Sequence, residues 1–389
     1  MESIFQKSDE FTMNTYKRFK VAFEYGRGVY LYSYDGKRYL DFLAGIAVNI
    51  LGHGHDVVSK SIKEQSVKLI HVSNLYYIKE QADLAELLIE HSCCDKVFFC
   101  NSGAEANETA IKIVRKWGNP GRYKILSFKN SFHGRTIATL ALTGQVKYQH
   151  GFEPMPDGFD YIEFNNFNDF ISKVDEKTVA VFVEFVQGEG GINVADKTFI
   201  EDLYKYCKAQ GILFVADEIQ TGMGRTGRLF AYEHYGIEPD IITLAKGIAA
   251  GLPMGAVLAK GELSEVLGFG THGSTFGGNP LVSYVARNVL RFVLNSNLTE
   301  HAENMGNYLM DQLNSAIGHS KMVEKIEGLG LMVGVKLKEK QRVDDLVNKA
   351  MEEGILIGKA GSSTIRLEPP LIVEKPHIDT VVDFFRRNI

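Results

Sequence analysis

The chain has 389 residues, of which 45% are hydrophobic and 23% are charged, and its formal net charge is -5. This composition is ordinary for a globular protein with a substantial core, and the net negative charge, with no clustered basic surface, argues against a nucleic-acid-binding protein. No segment reaches the roughly 18 apolar residues that a membrane span requires. The N-terminal stretch "MESIFQKSDEF" lacks the basic flank and apolar core of a signal peptide, so a cytoplasmic location is expected.

The first 50 residues contain "GVYLYSYDGKRYLDF", in which Asp35-Gly36 separates two stretches of alternating apolar residues. This pattern predicts a β-hairpin. The following "HGHD", from His53 to Asp56, offers two possible metal ligands but no third, and no metal site is predicted. The cysteines are Cys93, Cys94, Cys100 and Cys207; they lack Cys-x-x-Cys spacing and are expected to be buried thiols.

Short apolar runs alternate with helical patterns through the middle of the chain. The runs are "KVFFC", "YKILSF", "VAVFVEFV", "GILFVADE", "DIITLAK" and "GAVLAK", and the clearest helical patterns are "AEANETAIKIVRKW" and "KTFIEDLYKYCKAQ". Apolar strands separated by amphipathic helices are typical of a mostly parallel sheet covered on both faces, so the fold class is α/β. Long helices and a strand-rich end follow. We predict a large domain over residues 51–281 and a smaller α+β domain formed by residues 1–50 and 282–389.

The segment "NSGAEANETAIK" follows a predicted strand and begins a predicted helix with apolar positions at Ala110, Ile111, Val114 and Trp117. Ser102 is a natural N-cap, and Glu105 completes the pattern of a capping box. The same turn would direct free backbone N–H groups of Ser102, Gly103 and Ala104 toward a ligand at the edge of the sheet. The motif alone leaves a structural cap and a phosphate site equally open.

The segment "GMGRTG", residues 222–227, matches the G-x-G-x-x-G spacing of dinucleotide-binding loops. Five residues separate its first glycine from the preceding apolar run, and the stretch after it is too short for the expected helix. A nucleotide loop is therefore disfavoured, although a nicotinamide oxidoreductase remains the rival hypothesis from another class of enzyme. The polar residues before the glycines, Asp217 and Gln220, then need another explanation.

Lys246 ends the apolar run "DIITLAK", where burial of its charge is costly. One interpretation is a lysine that extends to solvent; the other is an amine poised for Schiff-base chemistry with a lowered pKa. Asp217 would then keep a pyridine nitrogen protonated, and Gln220 would bond to the phenolic oxygen of the ring. Together with a phosphate site at the helix terminus, these residues predict pyridoxal phosphate.

Four further residues are candidates for contacts with cofactor and substrate. Phe132 in "NSFHGRT" offers a flat face, and Arg135 offers two parallel donors for a carboxylate. Taken alone, this pair is more simply a core aromatic and a surface arginine. Arg366 in "STIRLEPP" is a second candidate for binding a carboxylate, and Glu189 in "VQGEGG" could neutralise it when no substrate is present.

With these motifs in order, the sequence resembles the class III, fold type I aminotransferases that use pyridoxal phosphate, and within them the acetylornithine branch. The resemblance covers nearly the whole chain and is carried by "NSGAEANETAIK", "FHGRT", "VEFVQGEGG", "VADEIQTGMGRTG", "PDIITLAKGIAAGLPMGA", "HGSTFGGNPL" and "RLEPPLI". "TLAKGIAAGLPMG" departs from many relatives in having a less glycine-rich loop, which removes no catalytic role.

The resemblance implies a role for each candidate. Lys246 would hold the cofactor and move the proton, and Asp217 would pair with its ring nitrogen. The remaining cofactor contacts would come from Ser102, Gly103, Ala104, Phe132, Gln220 and, across a homodimer interface, Thr275 of the partner subunit. Arg135 would bind the α-carboxylate of acetylornithine and later the distal carboxylate of 2-oxoglutarate. Arg366 would bind the α-carboxylate of 2-oxoglutarate or glutamate and be masked by Glu189 in the first half-reaction, while Glu184 would lie behind these groups.

The implied reaction moves the δ-amino group of N2-acetyl-L-ornithine to 2-oxoglutarate, as in arginine biosynthesis. Free ornithine, succinylornithine and succinyl-diaminopimelate remain alternative substrates within the same class. A protein that binds the cofactor without catalysis is a third hypothesis, which the intact set of Lys246, Asp217, Arg135 and Arg366 disfavours.

Overall fold

The computed structural model describes residues 2–389, apart from the side chain of Glu2. The helices are α1 (Glu2–Phe11), α2 (Ala44–Ala47), α3 (Asp56–Ser66), α4 (Lys79–Glu90), α5 (Gly103–Gly118), α6 (Ile137–Leu142), α7 (Phe167–Lys173), α8 (Lys197–Gln210), α9 (Pro280–Asn295), α10 (Leu298–Ile317), α11 (Gln341–Glu352) and α12 (Lys375–Asn388).

The strands are β1 (Phe23–Arg27), β2 (Tyr30–Ser33), β3 (Arg38–Asp41), β4 (Lys96–Cys100), β5 (Lys124–Phe128), β6 (Phe159–Ile162), β7 (Thr178–Val183), β8 (Val186–Gln187), β9 (Asn193–Val194), β10 (Leu213–Asp217), β11 (Ile241–Leu244), β12 (Gly255–Ala259), β13 (Val323–Leu329), β14 (Met332–Leu337), β15 (Ile355–Leu356), β16 (Gly358–Ala360) and β17 (Thr364–Leu367).

A seven-stranded sheet forms the centre of the fold, in the order β4-β12-β11-β10-β7-β5-β6. Only β12 is antiparallel to its neighbours, and each of the six apolar runs predicted to be strands contributes to this sheet. β7, β10, β11 and β12 are buried along their whole length, as expected for strands covered on both faces. The prediction of an α/β fold with a mostly parallel sheet is confirmed.

Helix α5 shows how the sequence forms one of the covering helices. Its apolar stripe includes Ala110, Ile111 and Val114, which are buried against the sheet, whereas Trp117 is 43% exposed and does not continue that stripe. The helix begins as predicted at the cap of Ser102, whose hydroxyl accepts a hydrogen bond from the Glu105 backbone N–H at 3.2 Å. The Glu105 carboxylate, however, accepts from the backbone N–H of Asn101 at 2.7 Å, one residue before the partner that a standard capping box would use.

Both ends of the chain contribute to two smaller sheets. The predicted hairpin is present as β2 and β3, which pair in antiparallel register across residues 34–37. β15, from the C-terminal part of the chain, joins β3 in parallel and completes the sheet β1-β2-β3-β15, while the other sheet has the order β13-β14-β17-β16. β17 carries Arg366, whose side chain reaches Glu189 in the loop between β8 and β9.

Several residues considered individually in the sequence have structural roles. His53 bonds through Nε2 to the Asp41 carboxylate at 2.7 Å, and His55 caps α3 by accepting from the Val57 backbone N–H. The thiols of Cys94, Cys100 and Cys207 are buried and that of Cys93 is partly buried. Within residues 2–389, no helix has both the length and the apolar character needed to cross a bilayer.

Candidate active site

A cavity of about 430 Å³ lies at the carboxyl edge of the central sheet. Asp217 is the last residue of β10, Lys246 follows β11, and the cap of α5 follows β4, so three parallel strands deliver their polar ends to one place. This edge is where open parallel sheets bind ligands. Nine residues that the sequence predicts to contact cofactor or substrate line the cavity: Ser102, Gly103, Ala104, Phe132, Arg135, Glu189, Asp217, Gln220 and Lys246.

The two other candidates do not line the cavity themselves. Arg366 lies directly behind Glu189 and forms an ion pair with it. Thr275 is exposed in the loop before α9. The neighbouring Ser274 accepts a hydrogen bond from the Asn101 side chain at 3.1 Å, which places this loop next to the start of α5.

Lys246 is a buried amine held in a strained backbone conformation. Its φ of 47° is in the left-handed region, which is uncommon for residues other than glycine and is often found at functional sites. Burial lowers the pKa of the Lys246 amine, and the nearby Arg366 charge acts in the same direction, although the carboxylates of Glu368, Glu189 and Asp217 oppose it. The lowered pKa favours the neutral amine, which is the nucleophilic form.

Asp217 is fixed by two buried polar side chains, and we call these three residues the Asp217 network. Its Oδ2 accepts from Asn107 Nδ2 at 2.8 Å and lies 2.7 Å from His133 Nδ1. Its Oδ1 accepts from the Ile219 backbone N–H at 3.1 Å. Neither Asn107 nor His133 was assigned a role from the sequence, although Asn107 is a polar residue on the buried stripe of α5, which is a signal for a buried partner.

Glu184 is another carboxyl in the wall of the cavity. Burial raises its pKa well above the usual value, and the nearby Asp217 charge raises it further, against a single hydrogen bond accepted from the Phe132 backbone N–H at 3.1 Å. A protonated carboxyl can donate a hydrogen bond as well as accept one. Its hydrogen bond to the Phe132 backbone fits a supporting role, but Glu184 also lines the cavity itself.

The two candidate arginines have opposite surroundings. Arg135 is exposed, with its guanidinium 4.1 Å from the ring centre of Tyr148 and 5.6 Å from that of Phe132, and among residues 2–389 no carboxylate lies within 4.0 Å of it. The side chain of Arg366 is only 4% exposed and is paired with Glu189. Burial would raise the pKa of Glu189, but the charge and hydrogen bond of Arg366 outweigh burial and lower it.

The "GMGRTG" segment forms a series of turns and does not open an α-helix. Gly224 and Gly227 have φ values of 92° and 94°, a region that glycine enters readily. A dinucleotide loop requires a helix directly after the glycines. The disfavoured nucleotide interpretation is therefore wrong for this segment, and Asp217 and Gln220, which precede the glycines, are the residues that reach the cavity.

Comparison with known proteins identifies the family to which this site belongs. Residues 11–389 match the sequence profile of the family described as aminotransferase class-III. The chain belongs to the class-III aminotransferase family. It is 45% identical over 379 residues to the acetylornithine aminotransferase of Methanocaldococcus jannaschii, covering 96% of this chain and 94% of that protein. With the same coverage, it is 47% identical to the acetylornithine aminotransferase of Gloeobacter violaceus.

Solved structures give the same family. An ornithine aminotransferase from Toxoplasma gondii superposes with a TM-score of 0.96 at 31% identity, covering 100% of this aminotransferase and 94% of that chain. The acetylornithine aminotransferase of Elizabethkingia anophelis has a TM-score of 0.88 at 31% identity and covers 100% and 98%. A second structure of the T. gondii enzyme holds pyridoxal phosphate (PLP) in its active site at partial occupancy. Class-III aminotransferases depend on PLP, which is therefore the cofactor of this one.

The residues of the cavity fit this cofactor. Gln220 Nε2 is buried and has no hydrogen-bond partner among the described residues, so a donor is available for a ligand oxygen. The Gln220 side chain reaches this position only because residue 188 is glycine, since a Cβ there would lie 1.4 Å from Gln220 Oε1. The first turn of α5 supplies backbone N–H groups for a phosphate, and the Asp217 carboxylate suits a protonated ring nitrogen.

Proposed function

We propose that this aminotransferase moves the δ-amino group of N2-acetyl-L-ornithine to 2-oxoglutarate, giving N-acetyl-L-glutamate 5-semialdehyde and L-glutamate, a step of arginine biosynthesis. The observation that carries this proposal is the masked arginine: Arg366 is neutralised by Glu189, while Arg135 is free. One carboxylate site is thus open to the first substrate and a second can be opened for the 2-oxo acid. The names of the relatives that are 40–47% identical support the choice of acetylornithine.

We also propose the following contacts with PLP. Lys246 attaches the cofactor, Asp217 faces its ring nitrogen and Gln220 its phenolic oxygen, and the ring of Phe132 packs on its face. The backbone of Ser102, Gly103 and Ala104 binds the phosphate. When bound, PLP supplies an electron sink for the carbanion formed at the carbon that carries the amino group.

Lys246 is proposed to move the proton that transamination requires. Its amine, whose pKa is lowered by burial, would take the proton from the substrate carbon and hold it until it is returned at the other end of the transferred group. Asp217 favours this step because its charge stabilises a protonated ring nitrogen. The Asp217 network keeps the carboxylate oriented, since both of its oxygens already accept hydrogen bonds from the protein.

The two arginines are proposed to distinguish the two half-reactions. In the first, Arg135 binds the α-carboxylate of acetylornithine while Glu189 stays on Arg366. In the second, 2-oxoglutarate binds with its α-carboxylate on Arg366 and its distal carboxylate on Arg135, so Glu189 must move away. Removal of the Glu189 charge from Arg366 is offset by the incoming carboxylate, which carries the same charge.

Steady-state kinetics test the substrate. We expect kcat/KM for acetylornithine to exceed that for free ornithine, because the acetyl group removes an ammonium that no carboxylate among the described cavity residues is free to bind. Succinylornithine and succinyl-diaminopimelate are run beside it, since both carry an acylated amine. A kcat/KM for free ornithine equal to or above that for acetylornithine would make this an ornithine aminotransferase, the activity named for the T. gondii structure.

We further propose a homodimer in which Thr275 of the partner subunit reaches the cofactor phosphate. Large apolar side chains are exposed on two neighbouring segments, at Leu75, Tyr76, Tyr77, Phe269 and Phe276. Asn74 joins these segments by donating to the Ser274 and Gly277 carbonyls at 3.0 and 2.9 Å. Exposed apolar clusters of this kind favour burial against another protein surface, and this one includes the loop that carries Thr275.

Sedimentation analysis tests the dimer. Wild type is expected to sediment at twice the chain mass of 43.4 kDa, whereas Tyr77→Asp should weaken the dimer and lose activity together with it, because a charge would be placed in the apolar surface. A fully active wild-type monomer would contradict the shared site.

We also propose that the chain is divided into a large domain, residues 51–281, and a smaller domain formed by residues 1–50 and 282–389. The pairing of β15 with β3, which joins the two terminal segments, supports this division.

A further inference from the structure

Glu368 is a buried carboxylate that the roles described so far do not use. It lies one residue beyond β17 and is 0% exposed, and neither of its oxygens has a hydrogen-bond partner among the described residues. Burial of a carboxylate without such partners is costly unless opposite charges lie close to it. A charge kept in such a place therefore points to a function.

Two arginines provide the compensating charge. Arg366 Nε lies 3.5 Å from Glu368 Oε2. Arg225 is fully buried, and it donates through Nη1 to the Leu331 and Pro369 carbonyls while its Nε and Nη2 remain without partners. Burial lowers the pKa of Arg225 to about 10, and the charge of Glu368 opposes that lowering. Glu368 thus lies in contact with one buried arginine and acts by charge on a second.

Arg366 lies between two carboxylates that differ in exposure. Glu189 is in the short loop between β8 and β9, and its side chain is 26% exposed. Glu368 is anchored: its backbone N–H donates to the Phe42 carbonyl at 2.8 Å, and its side chain is fully enclosed. Arg366 uses Nη1 for Glu189 and presents Nε to Glu368, so one contact can be exchanged while the other stays. We call Arg366, Glu189 and Glu368 the Arg366 cluster.

We propose that Glu368 is a positioning residue for the 2-oxo acid half-reaction: it holds the Arg366 guanidinium in place through Nε when the substrate carboxylate displaces Glu189. This inference rests on the proposed roles of Arg366 and Glu189. Without Glu368, the displaced arginine would retain no carboxylate of the protein as a partner and would lose the orientation on which a two-point contact with the substrate depends.

The test compares three holoenzyme variants with wild type. Glu368→Gln keeps the shape and removes the charge; Glu368→Asp keeps the charge and withdraws it by one methylene; Glu352→Gln makes the same chemical change on the exposed end of α11 as a control. The measurements are KM for each substrate and the Kd of glutarate as an unreactive dicarboxylate.

We expect Glu368→Gln and Glu368→Asp to raise KM for 2-oxoglutarate and Kd for glutarate about tenfold, with KM for acetylornithine changed by no more than about twofold. If Glu368→Gln does not fold, Glu368→Asp still supplies the glutarate measurement.

Three results would overturn the proposal: an unchanged Kd for glutarate in the Glu368 variants, an equal rise of KM for both substrates, or a fall of either constant. Failure of the proposed amino donor is distinguishable, because a wild-type preference for free ornithine would leave the glutarate and 2-oxoglutarate comparisons intact.

Discussion

The Asp217 network and the Arg366 cluster both act on Lys246 through charge and are built in different ways. Both oxygens of Asp217 accept hydrogen bonds from the protein, although Asn107 Oδ1 and His133 Nε2 have no partners among the described residues. Arg366 is held instead by two carboxylates, of which Glu189 is partly exposed and Glu368 is fully buried. A carboxylate with both oxygens bonded has one preferred orientation, whereas an ion pair to a partly exposed side chain can be exchanged at lower cost. On the proposed roles, this difference separates a part that holds the cofactor from a part that exchanges ligands.

The largest expected effect comes from replacing Lys246, on which both the Asp217 network and the Arg366 cluster act. Lys246→Ala should lower kcat by roughly 10³-fold or more, because no other described amine lines the cavity to move the proton. The measurement is single-turnover conversion of acetylornithine, with borohydride treatment as a second readout: the cofactor should be fixed to wild type and not to the variant. A variant with near-normal turnover would assign the proton transfer to another group.

Asp217→Asn tests the Asp217 network. The amide keeps the size of the side chain but removes the charge, and it also disturbs the contacts with Asn107 and His133, so we expect kcat to fall by about 10²- to 10³-fold. Rapid-mixing spectroscopy of the first half-reaction checks this. The Kd of glutarate should stay close to wild type, because the Arg366 cluster is not altered. A large loss of glutarate binding would show that the two regions are coupled.

Glu189→Gln tests the Arg366 cluster. The amide neutralises Arg366 poorly, so the first half-reaction should suffer: we expect kcat/KM for acetylornithine to fall about tenfold, corresponding to ~1.4 kcal/mol, while that for glutamate is kept or rises. Half-reaction kinetics with each amino donor provide the measurement, and Glu352→Gln is the matched control. Equal losses for both donors would contradict a switching role for Glu189.

The sequence predicts more of the surroundings of Asp217 and Lys246 than of the Arg366 cluster. The apolar runs before Asp217 and Lys246 are buried strands whose order along the chain predicts a parallel sheet, and parallel strands bring their ends to one edge. Both the α/β fold and the family are confirmed. The residue roles remain proposals, although nine of the candidates line one cavity.

Contacts between segments that are distant in the chain could not be predicted from the sequence. His133 and Asn107 are separated from Asp217 by 84 and 110 residues, and no local pattern connects them. Glu368 lies two residues after Arg366 and looks like an ordinary exposed glutamate in "RLEPP". Only its burial shows that keeping a charge at Glu368 costs free energy. That burial depends on the packing of β17 next to β14 and β16, which the sequence does not reveal.

A final prediction concerns the stability of the folded protein, which should depend on pH because of a buried carboxyl next to Asp217. Glu218, next to Asp217, is fully buried; it accepts from the Tyr232 backbone N–H at 2.9 Å and from the Thr221 hydroxyl. Burial raises its pKa from 4.5 to about 7. The folded state therefore binds more protons than the unfolded state between these values, and the stabilisation present below pH 4.5 is lost as the pH rises through 7.

The loss is on the order of 3 kcal/mol. Comparison of thermal unfolding midpoints at pH 5 and pH 8 is the measurement, and Glu218→Gln should reduce the difference between them, because its amide does not titrate. Glu352→Gln should preserve the wild-type difference. If Glu218→Gln also preserves it, then Glu218 is ionised at pH 5 in the folded protein, and its hydrogen bonds to Thr221 and Tyr232 outweigh its burial.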